Sequence, residues 1–441
     1  MSVLTAKRTP ADLAGCGWYE LLPPPGPARV LEGAITADWV IIGAGFAGLA
    51  AARRLSELRR GDRIVLIDAQ RVGWGAAGRN SGFMIDLPHE LNSDDYAGGI
   101  EADQRQIRMN RAAIAFAREA VEEFGLERFF AATGKLHGAA DGRGLDALRG
   151  FARHLDALGE PYSELDADAM RERTGTSFWQ GGIDTPGAAM IQPAGYVRGV
   201  ADGLRERISV FEDSPVLRIE TGAGHTIHTP KGRVTAPKLI LTVNGQIESF
   251  GLYERRLMHL FTFASMTREL TADEQRRLGG EPAWALIPAD PMRTTVRRIR
   301  EGRIVVRNTF TYEPGMEISA ADVERVGRRH DRSFRARFPM LADVGMEHRW
   351  GGHLCLSLNT VPAFGEVEEG VYAACCQNGL GTVKGTLAGM LVADLASGSN
   401  NPLVHEMLAQ EAPRKLYPEP LMTVGARTVL WWKQARAGRD L

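Results

Sequence analysis

An α/β fold with two sheets of different kinds is predicted for this 441-residue chain, and three features predict it. The apolar run Trp39-Val-Ile-Ile leads directly into Gly43-Ala-Gly45-Phe-Ala-Gly48 and an Ala-rich stretch, the strand, turn and helix of a Rossmann-type unit. A second strand, Arg63 to Ile67, ends in Asp68. Strand-like runs then gather between Ser209 and Val243 and between Trp284 and Thr311. The architecture expected is a Rossmann-type dinucleotide-binding domain with a second, substrate domain built on an antiparallel sheet plus helices.

The elements follow in chain order. Residues 1–35 form an arm whose Pro23-Pro-Pro-Gly-Pro27 segment favours an extended path, expected to lie across the surface of the first domain. The dinucleotide-binding domain is expected to be discontinuous, from 36–95, 190–250 and 345–400. The substrate domain takes 96–189 and 251–344, and 401–441 is a helical extension. Ile107, Ile114, Ala117, Val121 and Phe124 fall on one helical face between Ile100 and Phe124, and Leu145 to Leu158 repeats the pattern. In the second strand group Glu301-Gly302 reads as a two-residue hairpin loop. Thr295, Arg297, Ile299, Ile304, Val306 and Asn308 then share one face, and Arg298, Arg300, Arg303 and Arg307 the other. The tryptophans Trp431 and Trp432 of the last helix are expected to pack against the protein rather than lie on a membrane surface.

Composition narrows the function. A net charge of −1 offers no field for a nucleic-acid backbone, so a small-molecule partner is expected. No run approaches the ~20 apolar residues of a membrane span, and the N-terminus lacks a signal-like stretch, which predicts a cytoplasmic protein. Four cysteines in no metal-ligand spacing predict free thiols and no metal site.

The dinucleotide site is the sharpest feature. Gly43 permits the tight turn, Gly45 lets backbone approach a pyrophosphate, and Gly48 allows close helix-strand packing. Phe46 and Ala47 begin the helix whose N-terminus faces the phosphates. Asp68, followed by Ala69, is placed to accept hydrogen bonds from ribose hydroxyls. Nicotinamide and flavin enzymes share this fingerprint.

Later segments separate the two. Gly75-Ala-Ala-Gly-Arg79-Asn80-Ser81-Gly82, Glu212-Asp-Ser-Pro-Val216, Ala236 to Asn244-Gly245, and Trp350-Gly-Gly352 through Gln377-Asn378-Gly379-Leu380-Gly381-Thr382 occur in that order. Together they resemble the glycine/D-amino-acid oxidase (DAO) family of FAD enzymes, from about Ala37 to Gly398. The Gly78–Gly82 segment and the C-terminal Trp-Trp-Lys-Gln look most like its gamma-glutamylputrescine oxidase branch. The resemblance implies FAD, with Arg79, Asn80 and Ser81 beneath the flavin, Val216 at adenine, and Asn378 to Thr382 as a nest beside the flavin N1–C2=O edge. It also implies amine oxidation by hydride transfer from the α-carbon to flavin N5, giving an imine and then an aldehyde or ketone. Oxygen is the expected acceptor, a quinone or carrier protein the alternative. A flavin-holding protein without catalysis is the reading from another class.

Some relatives bind FAD through a cysteine; the matching position is Gly352, so a noncovalent link is expected. Amino-acid-oxidising relatives carry a carboxylate-binding arginine where Leu354 stands, which argues for an amine whose carboxylate or polar group is remote. Arg297 is the candidate anchor for it, with Arg298 or Arg307 if the sheet is turned over. His353 and His259 are candidate catalytic residues, although a core role is open to both. The amine itself and the oligomeric state are not set by the sequence.

Overall fold

The computed structural model describes residues 2–88 and 98–441, so the expected domain boundary at 95–96 lies outside the described residues. Five strands run parallel in the order Ser209–Phe211, Ile64–Ile67, Trp39–Ile42, Lys238–Leu241 and Val371–Cys375, and Ala363–Glu368 closes the sheet antiparallel. Trp39–Ile42 and Ile64–Ile67 are buried at every position, as strands covered on both faces must be. The chain travels outward from Trp39–Ile42 on one side, then returns to add Lys238–Leu241 on the other. The gap between those two strands is the topological switch point, where a parallel sheet opens a crevice at its C-terminal edge.

Helices Phe46–Leu58 and Gly381–Ser397 pack together over this sheet at small residues: a Cβ on Gly389 would lie 2.0 Å from the Ala47 carbonyl oxygen. Helix Ile100–Phe124 falls where its apolar spacing predicts, and its Ile107, Ala113 and Val121 join the same core. An eight-stranded, mostly antiparallel sheet forms the second layer, ordered Met346–Leu356, Met258–Thr267, Arg303–Tyr312, Thr295–Ile299, Trp284–Pro288, Lys135–Ala139, Gly181–Thr185, Ser163–Asp166. Met346–Leu356 belongs to this sheet although the two strands that follow it in sequence serve the parallel one.

Four expectations are corrected. The arm does not lie only on the surface: Val3–Thr5 and Gly33–Thr36 are edge strands of a five-stranded sheet, and Trp18, 1% exposed, meets Trp350 edge-on with ring centres 6.3 Å apart. The hairpin loop is Arg300-Glu301-Gly302, not two residues, because Gly302 takes a left-handed φ of 66° and Ile299 pairs with Arg303. That one-residue slip turns over every side chain of the second strand. Arg297 therefore shares its face with Ile299 and Val305 against Trp18 and Trp350, while Val296, Ile304 and Val306 join the opposite core.

In the strand-like stretch expected from Ser209 onward, the strand stops at Phe211, since Asp213 adopts φ 48° and Glu212 to Val216 is irregular. Lastly, Trp431 and Trp432 point outward, 69% and 50% exposed. In helix Leu421–Ala435 it is Met422, Ala426, Leu430 and Gln434, recurring every four residues, that face inward. Gln434 clamps the Phe310 backbone at both its N–H and its carbonyl, 3.3 and 3.0 Å.

The glycines of the turn separate folding from cofactor retention. A Cβ at Gly48 would stand 1.7 Å from the Gly43 carbonyl oxygen, whereas one at Gly45 meets only Ala77 Cβ at 3.6 Å. Gly48→Ala is expected to destabilise the fold by about 1–3 kcal/mol or more, as overpacking does. Gly45→Ala is expected to melt near the wild-type temperature and lose flavin absorbance. Equal melting of the two variants would contradict this geometry.

Candidate active site

A long cavity opens at the switch point. Of the residues the sequence singled out, Gly43, Gly45, Phe46, Ala47, Asp68, Ala69, Asn80, Val216, Asn244, Gly379 and Gly381 line it. Gly43 turns the chain at φ 102°, and Thr242 fixes that turn by donating to the carbonyls of Ile42 and Gly43, each at 2.8 Å. Gly45 caps helix Phe46–Leu58 with no side chain, leaving the first N–H groups open to an anion. Asp68 accepts from the N–H groups of Ala44 (2.7 Å) and Gln70 (2.9 Å), and burial pushes its carboxyl up to about 6. Opposite, Cys376, Asn378 and Gly379 all have positive φ, a curled backbone that precedes helix Gly381–Ser397.

The remaining residues stand one layer behind the wall. Gly48 packs under Gly43, Leu380 caps helix Gly381–Ser397, and Thr382 donates to the Phe83 carbonyl. Asn378 receives the Ser357 N–H at 2.8 Å. Arg79 donates to the carbonyls of Trp74, Leu13 and Gly351, and the Ser81 carbonyl accepts from Arg297 at 2.6 Å. Gly245 makes room for histidines: its Cβ would be 2.8 Å from His353 and 2.9 Å from His259.

Sequence reasoning missed part of the lining. Arg8 to Asp12 of the arm form one side, a segment with no periodic pattern to signal it. Gln246 and Gln377 also line the cavity, and each leaves its buried Oε1 without a protein partner among the described residues. Such acceptors need a donor-bearing occupant. A flavin nucleotide, with its ring N–H and ribityl hydroxyls, meets that need, and the helix terminus and Asp68 suit its pyrophosphate and ribose.

The family profile described as DAO, FAD dependent oxidoreductase, matches residues 38–395. The chain belongs to that family. It is also 30% identical over 404 residues to a probable oxidoreductase OrdL of Rhizobium meliloti (strain 1021), covering 88% of this chain and 90% of the relative. Identity to the gamma-glutamylputrescine oxidoreductase of Escherichia coli (strain K12) is 26% over 378 residues, 84% and 86% of the two chains. The crystal structure of glycine oxidase from Geobacillus kaustophilus shares the fold, with a TM-score of 0.71, 18% identity, and coverage of 87% of this chain and all of that one. FAD is thus the cofactor of this DAO-family oxidoreductase.

None of the three arginines considered as anchors lines the cavity. Arg297 is no free anchor: its guanidinium donates to the Ser81 and Ile191 carbonyls and lies 5.0 Å from the Trp18 ring centre, and burial lowers it to about 10. Arg298 is engaged by the Gly279 and Glu281 carbonyls, and Arg307 lies over the Phe310 ring; neither lines the cavity. His353 does line it, and its Nε2 is 3.2 Å from His259 Nδ1, whose own Nε2 is 2.8 Å from Glu248 Oε2. Burial, and then the neighbouring His259, push the His353 imidazole down to about 3, so it is neutral at pH 7. Glu248, unmarked by any motif, also receives the N–H groups of Arg256 and Leu257. Gly352 backs onto Arg79, and the nearby Cys355 thiol is buried and raised by desolvation, well away from a reactive thiolate.

Asp68 supplies a pH test with two opposite signs. With Asp68 as ribose acceptor, the ionised carboxylate is the stronger acceptor, so FAD retention is expected to fall as pH drops through about 6. The apoprotein moves the other way. A carboxyl raised from 3.8 to about 6 favours the folded state most below about pH 4, and that contribution is lost as pH rises through about 6. Asp68→Asn is expected to weaken FAD binding about tenfold or more, since hydrogen bonds to a charged acceptor are each worth about 1.5–3 kcal/mol. Equilibrium dialysis of FAD and thermal melts across pH 4–8 read both effects. Gly381→Val, whose Cβ meets no protein atom within 4 Å, is expected to fold yet hold FAD poorly; normal FAD content would remove Gly381 from the site.

Proposed function

We propose that this chain oxidises an amine at the carbon bearing nitrogen, releasing an imine that hydrolyses to an aldehyde or ketone, with oxygen as acceptor and hydrogen peroxide as product. The observation that carries the reading is the chain Glu248–His259–His353, which ends on the cofactor cavity beside Leu354. Bound FAD supplies the hydride acceptor, its N5. The protein's own task is to hold the amine unprotonated and aimed at it.

With His353 Nε2 engaged by His259, Nδ1 is the nitrogen left for substrate. In this reading the substrate ammonium gives its proton to His353 Nδ1, and the Nε2 proton passes to His259 Nδ1. The imidazolium so formed on His259 is stabilised by the Glu248 carboxylate. A ring held near 3 does not keep the proton, which suits a relay rather than a resting base. Leu354 gives an α-carboxylate no partner, and a buried unpaired charge costs several kcal/mol. Amines with a remote polar group are therefore favoured over simple α-amino acids, and the gamma-glutamylputrescine enzyme among the relatives is named for a substrate of that kind. The same reading takes FAD as noncovalent, the protein as cytoplasmic, and the parallel sheet as the core of a discontinuous cofactor domain.

Anaerobic flavin bleaching by glycine, D-alanine and sarcosine is expected to be slower than by gamma-glutamyl-amines or alkylamines. Faster bleaching by the amino acids would overturn the substrate class, and peroxide formation in air decides the acceptor. Glu248→Gln is expected to slow flavin reduction about a hundredfold near pH 7, within the range of general base catalysis, but far less near pH 10, where a substantial fraction of the amine is already neutral. An equal loss at both pH values would leave Glu248 a structural role alone. Colour that stays with the denatured chain would refute noncovalent binding.

A further inference from the structure

Leu354 has two sides. One lines the cofactor cavity, and the other walls a second chamber of about 380 Å³. Its floor is the antiparallel sheet, with Leu260, Phe310 and Leu356, and its roof is helix Leu421–Ala435, with Leu430. Apart from Tyr312 and Tyr417 the lining is apolar, and its one charged residue is Lys433. Lys433 is half-buried and makes no ion pair within 4 Å among the described residues.

The roof is held firmly. Gln434, next to that lysine, clamps the Phe310 backbone, and the chain end is tied down by Asp440, buried against Arg337 and accepting from Thr294 at 2.7 Å. Lys433 is thus held at the chamber wall by a fixed turn of helix. Apolar walls reject a polar chain, and a lone ammonium rejects a cationic terminus while favouring an anionic one.

We propose that this chamber takes the far part of the amine substrate, an apolar chain that ends in a carboxylate paired with Lys433. The proposal rests on the amine-oxidase reading above and replaces Arg297 with Lys433 as the anion's partner. It also excludes diamines whose distal nitrogen stays charged.

The test compares 6-aminohexanoate, hexylamine and 1,6-diaminohexane by the rate of flavin reduction in the FAD-loaded full chain. Wild type is expected to prefer the amino acid over the diamine by at least tenfold in kcat/KM. Lys433→Met should lower the ratio of 6-aminohexanoate to hexylamine at least tenfold, mainly through KM, and Lys433→Glu should invert the preference toward the diamine. Hexanoate, which cannot react, supplies a binding readout by calorimetry. It should bind wild type and lose at least tenfold in affinity in Lys433→Met. Gly425 lines the chamber, and a Cβ there meets nothing within 4 Å, so Gly425→Phe should fill the space, retain FAD and the melting temperature, and abolish hexanoate binding. Ratios that move less than threefold in both lysine variants, with unchanged hexanoate affinity, would overturn the proposal. Hexanoate binding that depends on Lys433 and Gly425 in a protein no amine reduces would instead sustain the chamber and sink the amine reading.

Discussion

Two buried guanidinium groups hold the wall on which the flavin site is built. Arg79 ties the segment Trp74 to Asn80 to the arm at Leu13 and to the antiparallel sheet at Gly351. Arg297, reaching from that sheet, grips the carbonyls of Ser81 and Ile191. Among the described residues Arg297 has no carboxylate within 4 Å, and its charge is offset by carbonyl dipoles and by the faces of Trp18 and Phe83. Loss of any one of these partners would leave a buried cation short of hydrogen bonds, a state costing several kcal/mol. The antiparallel sheet is therefore fixed to the segment Trp74 to Ser81 by these guanidinium–carbonyl bonds. Arg297 does not line the cofactor cavity, which is why anion recognition is sought in another part of the molecule.

The space around the histidines shows the same economy of means. Without a side chain at Gly245, His259 and His353 stack with ring centres 5.3 Å apart and reach Glu248 in a line. The turn residues Asn244 and Gly245 thus serve two neighbours, one facing the cofactor cavity and the other backing the imidazoles. Both rings come from adjacent strands, with Phe261 opposite His353 in the register, so the alignment depends on the sheet and not on a flexible loop.

How much of this was legible in the sequence follows from the range of the interactions involved. The Gly43–Gly48 turn, Asp68 and the helix Ile100–Phe124 are local patterns, readable because period and turn chemistry act over a few residues. The hairpin failed by one residue because a three-residue loop with left-handed Gly302 and a two-residue loop have the same composition, and only the packing of Ile299 and Val305 against Trp18 chooses between them. Trp18 was invisible as a core residue because its partners lie on distant segments. Glu248 could be found only once the fold set it beside His259, eleven residues on. Trp431 and Trp432 misled because size and hydrophobicity suggest burial, whereas the helical phase was set by Met422, Ala426 and Leu430.

The arm has a consequence for biosynthesis. Its first strand pairs with Arg218–Glu220, Ser2 bonds to Thr221 across 219 residues of sequence, and Arg8 meets Ser249. Because synthesis runs from N- to C-terminus, the arm waits unpartnered until segments some 219 residues further on have been made. During that interval the side of the nucleotide cleft formed by Arg8 to Asp12 stays open. Docking of the arm is a long-range event of the slow kind, and the cleft is complete only once its opposite wall at Gln377 to Gly381, made later still, has folded.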